Sequence, residues 1–130
     1  MRFLLDSNIF IQAMVKGDRH LKRQMRIHLS QIALSTIVQY ELYSGSRQSR
    51  RRREQIEGIE ELALRLLPFD SADAQAAGEI RAELKRKGTP IGPYDLLIAG
   101  QARARGLTVV TRNVGEFRRV EGLAVEEWAA

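Results

Sequence analysis

Arg2-Phe3-Leu4-Leu5-Asp6-Ser7-Asn8 is the stretch on which the reading of the whole chain turns. Three apolar residues end on an acid, and the acid opens a helix-start cluster followed by Ile9, Phe10, Ala13 and Met14 at helical spacing. A short apolar run that does not alternate and feeds straight into a helix is the pattern of a parallel strand covered on both faces. Working outward, Ile32-Ala33-Leu34 repeats the pattern. Ser35-Thr36 then opens a helix holding Ile37, Val38, Tyr40, Glu41, Leu42 and Tyr43, in which Gln39 completes a capping box with Thr36 and Gly45 marks the end. Leu66-Leu67-Pro68-Phe69 is a further short strand, placed at an edge or a strand end by its proline. Leu107-Thr108-Val109-Val110-Thr111 is the clearest strand, and Leu123-Ala124-Val125 closes the series with Trp128 as an apolar cap.

Helices fill the intervals. Leu21, Met25 and Leu29 mark a short basic one, and a polar one begins near Gln48 with Ile56, Ile59, Leu62, Ala63 and Leu66 as its apolar stripe. Ser71 through Lys87 is helical throughout. The last long helix starts at Gly92-Pro93, with proline in the first turn, and stops at Gly106. Strands alternating with helices predict an α/β fold of three layers, a short parallel sheet with helices on both faces, forming one domain over residues 1–130. Ligands of such sheets sit beyond the carboxyl ends of the strands.

Composition narrows the function classes. A chain of 130 residues, 44% of them hydrophobic, hides roughly two-thirds of its unfolded surface and folds without metal or disulfide staples. The absence of cysteine excludes a disulfide scaffold, a zinc–thiolate site, an iron–sulfur cluster and a cysteine nucleophile. No apolar run approaches the roughly 20 residues that span a bilayer, and Asp6 interrupts the N-terminal apolar stretch before it resembles a signal peptide. The expectation is a full-length cytoplasmic protein with no membrane partner. The formal net charge of +5 is unevenly placed: ten basic residues and two acids lie between Lys16 and Arg53, among them Arg47, Arg50, Arg51, Arg52 and Arg53. A polyanion would meet this lobe first, although for a charge run taken alone a solvated helix face is the commoner explanation.

Three acids stand where surface chemistry does not require them. Asp6 ends the first strand, Glu41 lies between Tyr40 and Leu42 in an apolar helix, and Asp95 opens a nearly apolar helix between Tyr94 and Leu96. Each has a structural explanation: Asp6 as a helix cap, Asp95 as a complement to its helix dipole, Glu41 as a half-exposed position. Carboxylates brought together at a sheet end repel one another unless a cation joins them. Hard oxygen donors suit Mg²⁺ or Mn²⁺, which favour phosphate as a remaining ligand, and a divalent cation beside a basic lobe is equipment for phosphodiester hydrolysis. The two histidines, His20 and His28, have neither metal-ligand spacing nor a nearby acid and read as solvated surface. No phosphate-cradling glycine loop occurs. Tyr40, Tyr43 and Tyr94 remain unassigned.

These residues resemble a known family. Leu4-Leu5-Asp6-Ser7-Asn8-Ile9 is similar to the opening Leu-Asp-Thr-Asn of PIN-domain proteins, and Ser35 through Gly45 resembles their second motif. Ile80-Arg81-Ala82-Glu83-Leu84 through Gly88-Thr89-Pro90-Ile91-Gly92-Pro93-Tyr94-Asp95-Leu96-Leu97-Ile98-Ala99-Gly100 resembles the third. Val109-Val110-Thr111-Arg112-Asn113 with Glu116-Phe117, and the ending Val125-Glu126-Glu127-Trp128, resemble the fourth and the tail. Four motifs in register span the chain, and the likeness is strongest to the VapC toxins of VapBC toxin–antitoxin pairs, in particular the enteric type that cuts initiator tRNA in its anticodon loop. The resemblance implies an Mg²⁺- or Mn²⁺-dependent endoribonuclease in which Asp6, Glu41 and Asp95 are metal ligands supported by Ser7 and Asn8. An activated water would leave a 5′-phosphate and a 3′-hydroxyl. It further implies a homodimer, a tRNA substrate, and a VapB antitoxin that blocks the pocket, an arginine of which would pair with the carboxylates in place of metal.

One position departs from the pattern. Many PIN domains carry a fourth acid where this chain has Asn113, as several VapC proteins also do, and an amide offers a metal only a neutral oxygen; Glu116 is the candidate substitute. Two other readings compete. An aspartate-nucleophile phosphatase also places an acid after the first strand but wants a second acid where Asn8 stands. A non-catalytic RNA- or antitoxin-binding module would use the basic lobe and treat the acids as helix caps.

Overall fold

A computed structural model describes residues 1–128. Five short strands, β1 (Phe3–Leu5), β2 (Ile32–Ser35), β3 (Arg65–Leu67), β4 (Thr108–Val110) and β5 (Ala124–Glu126), form one sheet in the order β3-β2-β1-β4-β5. All four pairings are parallel. Every residue of β1 is buried because the strand is central, with Leu4 opposite Ala33 on one side and Val109 on the other. The chain steps from β1 to β2 and β3 on one flank, then returns to β4 and β5 on the other. The reversal falls between β1 and β4, which is where doubly wound sheets open a crevice at their carboxyl ends.

The helices follow the expected order with shifted ends. Helix α1 (Ser7–Phe10) continues into a π-helical turn, Ile11–Val15, and α2 spans Arg19–Ile27. Helix α3 (Thr36–Ser46) is followed by α4 (Arg50–Glu60), α5 (Ser71–Arg86), α6 (Pro93–Arg105) and the short α7 (Val114–Phe117). Gly45 lies inside α3 rather than ending it. The capping box there does not form: the Ser35 hydroxyl accepts from the Ile37 amide, and Gln39 turns outward to donate to the Tyr43 hydroxyl. Leu62, Ala63 and Leu66 lie beyond α4, and Leu66 is exposed on the edge strand β3 where Pro68 ends the pairing. Gly106 ends α6 in the left-handed conformation, φ 67°, that glycine adopts without a Cβ penalty.

His28 departs from the surface reading. Its ring stacks on Trp128 at a centroid distance of 5.1 Å and meets Phe3 edge-on at 5.0 Å, under the amino ends of the strands. Trp128 is buried as expected of an apolar cap, and the aromatic triad draws His28 in because offset and edge-on ring contacts are favourable.

One buried polar network fastens α5 to α6. The Asp73 carboxylate accepts from Arg105 at 3.2 and 2.9 Å, from Gln101 at 3.2 Å and from the Asp70 amide at 3.0 Å. Burial by itself would raise the Asp73 pKa, but the Arg105 guanidinium and these donors outweigh it and hold the carboxyl below its ordinary range. The stability supplied by ionised Asp73 is therefore present above pH 3.8, its ordinary value, and is lost as pH falls below it through the depressed folded-state value. Asp73→Ala is expected to cost about 2 kcal/mol, since it removes the shared carboxylate acceptor and leaves Arg105 to Pro68 and Asp70 and Gln101 to the Leu67 and Pro68 carbonyls. Urea melts at pH 7 and pH 3 test this: the deficit should shrink at the lower pH.

Candidate active site

Asp6 leaves β1 at the switch point and caps α1, its Oδ1 accepting from the Ile9 amide at 3.1 Å. Its other oxygen accepts a 2.5 Å hydrogen bond from the hydroxyl of Thr111, the residue that leaves β4. Thr111 is fully buried, and its Oγ1 in turn accepts from the Asn113 amide at 2.9 Å, so the hydroxyl proton is directed at Asp6. Both Asp6 oxygens are thus engaged, which does not favour the aspartate-nucleophile reading, and Asn8 is exposed where that reading wants an acid. Asn8 reaches Asp6 through its backbone amide.

Glu41 is presented by α3, which begins at the carboxyl end of β2, and Asp95 by the first turn of α6. One Glu41 oxygen, Oε1, is buried without a hydrogen-bond partner. The three carboxyls share one electrostatic predicament. Asp95 is pushed up to about 7 by burial first, then by the Asp6 charge, by Glu116 as hydrogen-bond partner and charge, and by Glu41. Burial also raises Glu41; the Ser7 hydroxyl opposes this and the Asp6 charge adds to it. Asp6 is raised by burial against the pull of Thr111, Ile9 and Asn8. None of the groups that shift these carboxyls is a cation.

The sequence-predicted acids Asp6, Glu41 and Asp95 therefore lie within electrostatic reach of one another, with Ser7 beside Glu41 and Glu116 beside Asp95. Asn113 donates its side-chain amide to Glu116 at 2.6 Å. Among the described residues no three acids or histidines are drawn close enough to form a ready-made ligand cluster. The donor set fits a divalent cation nevertheless: hard oxygens, an unpartnered buried carboxylate atom, and concentrated negative charge. Sequence reasoning missed Thr111, which looks like the last residue of a strand until β4 is known to lie beside β1. The arginines lie elsewhere. Arg47 ends α3 and Arg50 to Arg53 open α4; Arg52 is partly covered, while Arg47, Arg50, Arg51 and Arg53 are exposed.

A concavity of about 820 Å³, an apolar groove between α5 and α6, is lined by Ala77, Leu84, Ile91, Leu96 and Leu97 and by none of these acids. Among the described residues no helix is long and apolar enough to cross a membrane.

Residues 3–123 match the family model described as PIN domain. The chain belongs to the PIN-domain family. A relative from Salmonella typhimurium named tRNA(fMet)-specific endonuclease VapC is 39% identical over 98% of both chains. One of the same name from Shigella flexneri is 37% identical over 99% of both. Among solved structures, DNA-bound VapBC from Salmonella typhimurium superposes with a TM-score of 0.90 at 38% identity, covering 99% of each chain. VapBC2 from Rickettsia felis bound to a promoter DNA fragment gives 0.89 at 33% identity, covering 99% of this chain and 100% of that one. This PIN domain is thus a VapC relative from end to end, as its four motifs imply. PIN-domain nucleases generally depend on a divalent metal.

Proposed function

We propose that this protein is an endoribonuclease toxin of a type II toxin–antitoxin pair, dependent on Mg²⁺ or Mn²⁺, with tRNA as its substrate and initiator tRNA the first to test. The observation that carries the reading is the meeting of Asp6, Glu41 and Asp95 at the β1–β4 switch point, with all three pKa values raised and one Glu41 oxygen orphaned. The names of the relatives supply the substrate class. A VapB-type antitoxin and a second copy of the chain are the proposed partners.

Asp6, Glu41 and Asp95 would hold the cation. A bound divalent cation supplies a water of lowered pKa and neutralises charge that builds on the phosphate oxygens in the transition state. Thr111 fixes the orientation of Asp6 through its directed hydroxyl, and Ser7 favours the ionised form of Glu41. Asn113 is a positioning group for Glu116, which stands beside Asp95 and is the fourth acid of the pocket.

Antitoxin-free protein incubated with total tRNA in Mg²⁺, Mn²⁺ or EDTA tests the proposal. Discrete cuts that require metal and leave 5′-phosphate ends support it. Intact tRNA, ribosomal RNA and messenger RNA, with no Mn²⁺ binding by calorimetry, would return the case to a non-catalytic module. The arginine lobe makes a separate prediction. Replacing Arg50, Arg51 and Arg53 with alanine should weaken RNA binding uniformly across sequences. The slope of log affinity against log salt should fall by about 0.7 for each single-strand phosphate that the variant no longer neutralises. An unchanged slope would assign the run to a solvated helix face.

A further inference from the structure

Tyr40 and Tyr94 each stand one residue before an acid of the pocket, Glu41 and Asp95. They come from different helices, α3 and α6, yet their hydroxyls meet at 3.2 Å and their ring centroids lie 5.6 Å apart with the planes tilted 45°. Both rings are open to solvent, 56% and 40% exposed. Tyr43 is comparably open, but it adjoins none of the three acids in sequence and its hydroxyl is engaged by Gln39 and Glu60 in the α3–α4 layer. The Tyr40–Tyr94 pair is uncovered and lies beside the acids, close enough for the Glu41 charge to act on Tyr94.

An RNA whose backbone reaches these carboxylates brings its neighbouring bases to the rim. Bases in loops are splayed out and need a new stacking partner, and aromatic side chains provide it without positive charge. Insertion between the rings is excluded, because two stacking steps of roughly 3.4 Å each exceed the 5.6 Å separation. A base must therefore lie on an outer ring face. Each tyrosine adjoins its acid in the same helix, Tyr40 before Glu41 and Tyr94 before Asp95, which ties the ring faces to both carboxyls whether or not the hydroxyls touch. We propose that Tyr40 and Tyr94 form a stacking platform that receives an unpaired base flanking the phosphate to be cut. The inference rests on the ribonuclease reading and adds to it the determinant that aligns the strand over the acids.

The test uses two fluorescent probes in EDTA, an anticodon stem–loop hairpin RNA and a mixed-sequence single-stranded RNA, with binding followed by anisotropy. The Tyr40→Leu/Tyr94→Leu protein is expected to bind about tenfold more weakly than wild type, while Tyr40→Phe and Tyr94→Phe, which keep the ring faces, stay within about threefold. Removing loop bases one at a time should reveal a position whose deletion weakens wild type but leaves the double-leucine protein unaffected. That non-additivity is a readout a merely structural role would not give. Matched melting temperatures confirm that the exposed substitutions leave the fold intact. Wild-type affinity in the double-leucine protein, or equal weakening of both proteins on base removal, overturns the platform, and so does a wild type that binds neither probe. Tyrosine-dependent binding without cleavage in Mn²⁺ would keep the platform and remove the ribonuclease reading, whereas cleavage with tyrosine-independent binding would do the reverse.

Discussion

Asp95→Asn is expected to lower RNA cleavage by about a hundredfold or more while making the metal-free protein more stable at pH 8. The substitution keeps the size of the side chain in the first turn of α6 and removes its charge. Loss of one ligand weakens a contribution of several kcal/mol to transition-state charge, and each 1.4 kcal/mol is tenfold in rate. The gain in stability has the same origin. In the unfolded chain Asp95 gives up its proton near 3.8; in the folded protein burial and the Asp6, Glu116 and Glu41 carboxylates hold it to about 7. Wild-type stability therefore declines as pH climbs through that interval, and the Asp95→Asn protein escapes the decline. The carboxyl is partly open to water, which screens the repulsion, so the difference is about 1–2 kcal/mol, or roughly 3–8 °C in melting temperature. Melts in EDTA at pH 8 and pH 5 check it, because the advantage should be clearly smaller at pH 5 and should vanish only below pH 3.8. Mn²⁺ should raise the melting temperature of wild type more than that of the variant. A variant that still cuts, or that gains nothing at pH 8, would remove Asp95 from the site.

The features legible in the sequence are those written in neighbouring residues. The apolar run ending at Asp6 is a strand because three side chains in a row are buried on both faces, and the acid after it is a helix cap whatever else it does. Gly92-Pro93 and Gly106 bracket α6 through their own backbone preferences, which no tertiary contact overrides. The features that stayed hidden depend on distant pairings. Thr111 and Asp6 are separated by 105 positions, and only the β1–β4 pairing turns a strand-end threonine into the group that orients the acid. His28 is half-buried against Phe3 and Trp128 because Trp128 arrives beside it from the far end of the chain. Gln39 follows Thr36 at capping-box spacing, but Ser35 holds the cap position and the glutamine side chain finds Tyr43 instead. The arginine run is legible as charge and not as a contact, since exposure permits binding without specifying it.

Gly100→Ala should be among the most damaging single-methyl changes in the protein. A Cβ added at Gly100 would stand 2.6 Å from the Cα, Cβ and N of Ala77, so α5 and α6 cross at this point with only the Ala77 methyl between them. Two of those three atoms are backbone, which cannot swing aside as a flexible side chain would. The helices must separate, and because overpacking of this kind costs typically 1–3 kcal/mol and at times more, we expect a loss near the upper end, about 3 kcal/mol, or roughly 10 °C. Ala77→Gly in the same chain should restore only part of it, since the Ala77 backbone remains in the way. Gly78, the next residue on α5, is the internal control: nothing lies within 4 Å of the place its Cβ would take. Gly78→Ala in that helix interior should therefore stabilise by about 0.5–1 kcal/mol. Denaturant melts of the four proteins decide the matter, and wild-type stability in Gly100→Ala would show that the crossing has slack. The consequence for function follows from the same helix. Asp95 precedes Gly100 by five residues, roughly 7.5 Å of helix rise, so an α6 pushed off α5 carries the carboxylate with it. Because small misplacements of a reacting group cost rate steeply, Gly100→Ala should cut RNA more slowly than wild type even at temperatures where both are fully folded.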